Sequence, residues 1–256
     1  MSLLKSLIKS ALRADYPKNK PMTATNISHR FICASRLSKE HFWESSALGT
    51  SLTNLVDAQH CEFSIAYEFN GNLCSYYNDF LGAEYRDQVL IFVMDHIGVV
   101  DFSWHQKLNA ALAQFDIVGI RGNSELSDGQ PTWWFEKFLV GSNTLSGSAT
   151  LETENGSIES QLGPSPLACK VLESSFIAVR ATDWYAADIE FDPNIGQSFF
   201  ALDFCRLASQ AGLSIGTWPI RISDASALIS PSTRVENWSD YFLKYREKWS
   251  ASVVPK

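Results

Sequence analysis

From about residue 28 onward, short apolar runs alternate with segments of helical spacing. HRFICAS (29–35) is rich in β-formers and ends in small and polar residues, which predicts a strand. EHFWESSALGTSLTNL (40–55) is helix-like with a break near Gly49, and CEFSIAYEF (61–69) is a second strand. LCSYYNDFLGAEY (73–85) returns to helical spacing. VLIFVMDHI (89–97) is the most apolar run of the chain, and a strand without polar alternation is one buried on both faces. SWHQKLNAALAQF (103–115) aligns Leu108, Leu112 and Phe115 on a helix, and DIVGIRG (116–122) reads as another strand. This alternation implies a doubly wound sheet with right-handed crossovers.

The regularity fades after Gly122. Residues 123–168 are rich in Gly, Ser, Thr and Asn and predict an irregular middle, with an aromatic cluster at Trp133, Trp134 and Phe135. Order returns with a strand in VLESSFIAVRA (171–181), a turn at FDPNIG (191–196), a helix in FCRLASQAG that ends at Gly212, and a strand in LSIGTWPIRI (213–222). WSDYFLKYREKW (238–249) predicts a final helix. At the other end, MSLLKSLIKSALR sets Leu3, Leu4, Leu7, Ile8, Ala11 and Leu12 against Lys5, Lys9 and Arg13. Two readings of that amphipathic helix stand: it packs on its own domain or a partner, or it rests on a membrane surface. Its lysines interrupt the apolar run and no small-residue cleavage site follows, unlike a signal peptide. With the linker DYPKNKPMT it forms an N-terminal unit over residues 1–27, and residues 28–256 form one α/β domain.

Composition narrows the partners. The net charge of -7 disfavours nucleic acid, which needs clustered Lys and Arg. No segment approaches the roughly 18 apolar residues of a membrane span. Cys33, Cys61, Cys74, Cys169 and Cys205 are odd in number and lack CxxC spacing, so they read as reduced thiols of a cytosolic protein.

Ligands of open α/β sheets bind beyond the carboxyl ends of the strands. That rule selects Ser35 and Arg36, Asp95 and His96, and Arg121 to Asn123. Burying a carboxylate costs several kcal/mol unless it is paired or metal-bound, so Asp95 beside His96 either caps a turn or holds a divalent cation. No GxxxxGK[ST], GxGxxG, GxSxG or HExxH motif is present. Trp133 and Trp134 either pack in the core or stack on a sugar ring. Asp203, taken alone, reads either as a first-turn acid favoured by the helix dipole or as a catalytic carboxylate.

Four stretches resemble one family. VLIFVMDHI is similar to a strand ending in a His-Asp-Asp-Val motif, and FDIVGIRGN to an fdivGvaGn strand. VLESSFIAVRATDW with FDPNIG resembles an Asp-Gly-x-Phe-x-Ala-Val-Arg strand followed by a Phe-Asp-Glu turn. FFALDFCRLASQAGLSIGTWPI resembles a Tyr-Asp-x-Asp-Phe-Cys segment with spaced glycines, and SYYNDFL a Tyr-Asn helix. In this order, across roughly residues 28–248, they resemble the glycosyltransferase-like group of the GT-A fold related to family 2 glycosyltransferases. The resemblance implies a GT-A-like, doubly wound mixed sheet flanked by helices. It also implies a hexosyltransferase-type activity that moves a sugar from a nucleotide-sugar donor to a polysaccharide or lipid-linked saccharide acceptor. The donor would lie near Ser35, Arg36, Asn78, Asp95 and Arg121, and the acceptor near Trp133 and Trp134. A divalent cation, Mn²⁺ or Mg²⁺, would sit at Asp95, His96 and Asp224, and the Asp203 or Glu173 carboxylate would serve as the catalytic base that deprotonates the acceptor hydroxyl. The expected location is the cytoplasm, and the second of the two readings of residues 1–13 would place the chain peripherally at the inner membrane face.

The departures are specific. Met94-Asp95-His96 stands for His-Asp-Asp, Glu173-Ser174 for Asp-Gly, and Asp224-Ala225-Ser226 for a later His-x-Ser. The first acid of Tyr-Asp-x-Asp falls on Ala201 and the second on Asp203. A methyl group is no base, which motivates a second reading: a GT-A-like pseudoenzyme that binds a partner or a glycan.

Overall fold

The computed structural model describes residues 28–55, 61–127, 129–135, 144–229 and 238–250. The expected N-terminal helix and linker lie outside them. The chain runs β1 (Ser28–Ala34), α1 (Lys39–Ser45), α2 (Ala47–Asn54), β2 (Cys61–Ala66), α3 (Leu73–Asn78), β3 (Gln88–Val93), β4 (Ile97–Val99) and α4 (Trp104–Leu112). It continues through β5 (Ile117–Gly119), β6 (Arg121–Asn123), β7 (Leu145–Thr153), β8 (Gly156–Gly163), β9 (Leu167–Ala168), β10 (Val171–Leu172) and β11 (Phe176–Arg180). It ends with α5 (Ala181–Ala187), α6 (Phe200–Gln210), β12 (Ile215–Thr217), β13 (Ile222–Asp224) and α7 (Trp238–Ser250).

Among the described residues, seven strands form a mixed sheet in the order β2-β1-β3-β11-β5-β12-β9. β1 runs parallel to β2 and β3, while β11 is inserted antiparallel between β3 and β5. A second mixed sheet runs β10-β6-β7-β13-β4, with β8 paired to β7. The mixed sheet flanked by helices is the GT-A-like architecture that the resemblance implies.

β3 shows why its sequence is apolar throughout. Its side chains alternate between two cores: Val89, Ile91 and Val93 face Phe42, Leu48, Leu52, Trp104 and Leu108 of α1, α2 and α4. Leu90 and Phe92 face Leu73, Tyr77, Trp184, Phe200, Phe204 and Tyr245 of α3, α5, α6 and α7. Each fully buried side chain of this size contributes about 1.5–3 kcal/mol. The α6 stretch Phe199–Cys205 is buried on every side, because α6 is enclosed between the sheet and α7.

Three sequence expectations are corrected. The helix break lies at Ser46, whose hydroxyl accepts the Gly49 amide at 2.9 Å and so caps α2. Gly49 is needed one turn later, since a Cβ there would meet the Phe42 carbonyl oxygen at 2.1 Å. Residues 123–168 are not wholly irregular: β7 and β8 form a long antiparallel hairpin turning at Glu154-Asn155, with Gly156, the first residue of β8, at φ +112°. Finally, LSIGTWPIRI splits at Trp218-Pro219, sending β12 to the large sheet and β13 to the small one.

Candidate functional site

β1 and β3 are adjacent and parallel, so Ser35 and Asp95 emerge at the same edge of the sheet. The Ser35 backbone is fixed by bonds to Ala66 O (2.8 Å) and from the Phe69 amide (2.9 Å). Its hydroxyl accepts the Leu37 amide at 3.1 Å and donates to Asp95 Oδ2 at 2.6 Å. The Asp95 carbonyl is held by the Leu48 amide at the start of α2, at 3.0 Å. Asp95 Oδ1 faces His96 Nδ1 at 3.8 Å, and the two side chains remain 27% and 22% exposed. Burial alone would raise the Asp95 pKa, but His96 and the Ser35 hydroxyl outweigh it and hold the carboxyl below its ordinary value. Asp95 is therefore an ionised acceptor whose side chain is still partly exposed. Arg36 lies exposed beside it.

A second cluster centres on Arg121. Its Nη2 donates to Asp224 Oδ2 at 2.6 Å and to Glu173 Oε2 at 3.2 Å, and lies 3.5 Å from Ser175 Oγ. Ser175 Oγ also donates to Glu173 Oε2, and Asp224 Oδ1 accepts the Ser226 amide at 2.9 Å. Burial disfavours the Arg121 charge, yet Glu173 and Asp224 more than compensate and raise its pKa. Burial likewise disfavours ionised Asp224, and Arg121 reverses that, lowering its pKa. Two backbone bonds tie this cluster to Asp95-His96: Met94 N to Ser175 O (3.0 Å) and Ala225 N to His96 O (2.9 Å).

Alongside, Pro131, Thr132, Trp133, Trp134, Leu172, Ser174, Ser198, Ala201, Leu202 and Trp238 line a cleft of about 180 Å³. Trp134 is 58% and Trp238 41% exposed, which gives the cleft open aromatic faces. Trp133 divides its roles, lining the cleft while packing against the core.

The structure thus brings together Ser35, Asp95 and His96, then Arg121, Glu173 and Asp224, and separately Trp133 and Trp134. Two expected site residues are used elsewhere. Asp203 is 0% exposed. Its Oδ1 accepts the Trp249 indole N–H at 2.8 Å and its Oδ2 the Lys248 ammonium at 2.9 Å. Lys248 also reaches Asp192 at 2.8 Å. A carboxylate so enclosed cannot meet an acceptor hydroxyl; it anchors α7 to α6. Asn78 is also tied to the fold: its amide donates to Phe191 O at 2.8 Å and accepts the Phe191 amide at 2.9 Å, so these bonds fix it against the backbone of Phe191. Ser175 and Trp238 were missed. The repeated Ser174-Ser175 after Glu173 was the available hint for the first, and nothing local marked the second.

The expected cation does not fit these donors. Asp224 and Glu173 are spent on Arg121, which leaves Asp95 and His96. Among the described residues no group of three or more His, Cys, Asp or Glu side chains is placed to hold a metal ion. No helix among them is long and apolar enough to cross a membrane.

No family model matches the chain. No curated protein matches it in sequence. Among solved structures it is similar to A197 from STIV, with 11% identity over 75% of this chain and 82% of that one and a TM-score of 0.43. It is similar to GalNAc-T7, solved with UDP, GalNAc and Mn²⁺, with 11% identity and a TM-score of 0.44. That likeness covers 97% of this chain and 57% of GalNAc-T7. The inositol-1-phosphate CTP transferase from T. maritima gives 15% identity over 86% of this chain and 77% of that one, with a TM-score of 0.34. Likenesses this distant transfer no site residue.

Proposed function

We propose that this chain is a glycosyltransferase-type protein that holds a nucleotide-sugar donor over the carboxyl ends of β1 and β3. The observation that carries this is Asp95: ionised, fixed by Ser35 at 2.6 Å, and still open to solvent at the strand ends. An acceptor-only carboxylate in that position suits the paired hydroxyls of a ribose. The cleft beside it offers Trp134 and Trp238 as stacking faces for the sugar or its saccharide acceptor. The test is thermal unfolding with uridine, guanosine and cytidine diphosphates, each in Mn²⁺ and in EDTA. A ligand at about 100 times its Kd adds about 2.7 kcal/mol, or a Tm rise of about 5–10 °C for a chain of this size. Asp95→Ala is expected to remove the rise. No shift with any diphosphate at millimolar concentration would refute the proposal.

A second reading, binding without transfer, is favoured by a specific observation: Ala201 lines the cleft, while Asp203 faces α7. It predicts donor binding with no release of sugar to an acceptor or to water. Turnover that disappears in Asp203→Asn, with folding intact, would overturn it.

A further inference from the structure

We propose that Arg121 is the resident cation of this site, and that a nucleoside diphosphate binds here without a divalent metal; the ligand named rests on the donor-binding reading above. Of the residues that the resemblance assigns to the cation and to the catalytic base, Asp224 and Glu173 both converge on one guanidinium. A divalent ion entering between them would break two charge-assisted bonds and meet a fixed positive charge within bonding distance of the same oxygens. Arg121 and its two acids together carry one net negative charge, where the acids alone would carry two. A cation therefore gains less here, and only Asp95 and His96 remain as uncommitted donors.

The guanidinium is not used up by this role. Among the described residues, its two bonds to carboxylates both run through Nη2. The Arg121 side chain is 9% exposed, and its Nε is buried without a hydrogen-bond partner. A buried donor left unmade is costly, and the planar fork of arginine matches phosphate oxygens. The cluster is linked through Met94-Ser175 and Ala225-His96 to the backbone of Asp95-His96, so a diphosphate leaving the ribose at Asp95 is directed toward it. Nη1 supplies the charge-assisted contact that a metal supplies elsewhere.

The experiment is a calorimetric titration of the full-length chain, stripped with EDTA. Mn²⁺ alone is expected to give no saturable binding below millimolar concentration. The diphosphate that raises the Tm is expected to bind with the same Kd, within twofold, in EDTA and in Mn²⁺. Arg121→Met, checked for native circular dichroism, is expected to gain Mn²⁺ binding as Asp224 and Glu173 are released, whereas Arg121→Lys stays silent. Stoichiometric micromolar Mn²⁺ binding to the wild type, or a more than tenfold gain in diphosphate affinity with Mn²⁺, would overturn the proposal, whether or not the methionine variant folds. If no diphosphate binds in either buffer, the donor reading fails and the ligand named here fails with it. The exclusion of the cation is still decided by the Mn²⁺ titration alone.

Discussion

Truncating Asp203 to alanine separates an anchor from a catalyst. The substitution leaves the Trp249 indole N–H without its acceptor at a residue only 7% exposed, which costs about 1–3 kcal/mol. Lys248 loses less: it keeps Asp192 at 2.8 Å, and its side chain is 30% exposed, so its share is about 0–1 kcal/mol. Against these stands a gain. Burial is the largest influence on Asp203, exceeds what Lys248 and Trp249 return, and raises its pKa. A raised folded-state pKa means the protonated form is favoured by folding below the ordinary carboxylate value, and that stability is lost as pH rises through the folded value. At neutral pH the ionised group is thus a cost that alanine removes. The net is a loss of about 2 kcal/mol, or about 4–8 °C in Tm for a chain of this size. Asp203→Asn keeps an acceptor for Trp249 and is expected to lose about half as much. Thermal unfolding by circular dichroism, run beside the diphosphate titration, decides the matter: the anchor role predicts a lower Tm with unchanged Kd. A Tm within a degree of wild type together with abolished sugar release would refute it.

Two further expectations concern the scaffold. Asp101 accepts from Lys107, Arg221 N and both Ser103 donors; burial opposes its charge, but these bonds win and lower its pKa to about 2. Its contribution is present above the ordinary carboxylate value and is lost as pH falls through the folded one. Between about pH 4 and pH 2 the wild type should therefore lose about 2 kcal/mol more than Asp101→Asn in urea unfolding, and parallel curves would refute the assignment. Asn78→Ala strands both backbone groups of Phe191 and is expected to cost about 2–4 kcal/mol in the same assay, with the diphosphate Kd unchanged; a weakened Kd would return Asn78 to the donor site.

The framework was legible where pattern and burial coincide. β3 and its neighbours read correctly because a strand with helices on both faces has no reason to alternate. The β7–β8 hairpin was missed because its strands carry few large apolar residues, and β8 is largely exposed. Its one clear mark was Asn155-Gly156, the last loop residue and the positive-φ glycine that follows it, which need no hydrophobic support. In the site, Ser35 and Asp95 were legible from the rule that ligands gather at strand ends. What each acid is bonded to was not. Arg121 meets Glu173 from 52 residues away and Asp224 from 103, and Asp203 meets Lys248 from 45. No local pattern encodes such partners, and the same residue types serve a metal, a proton transfer or an ion pair.

The segment FFALDFC shows how much helix phase decides. An α-helix turns 100° per residue, so positions 201 and 203 point about 200° apart. With Ala201 turned to the cleft, Asp203 must face away from it, and there it finds α7. The surviving acid therefore cannot stand in for the missing one without rotating α6, which Phe200, Phe204 and Cys205 prevent by filling the core on its other faces. The charge pattern follows the same logic. Three of the expected site acids are matched to a cation of the fold, Asp203 to Lys248 and Glu173 with Asp224 to Arg121. Asp95 differs, pairing with a neutral hydroxyl and lying 3.8 Å from an imidazole. On the donor-binding reading proposed above, ligand contacts fall at Asp95 and at the Arg121 guanidinium.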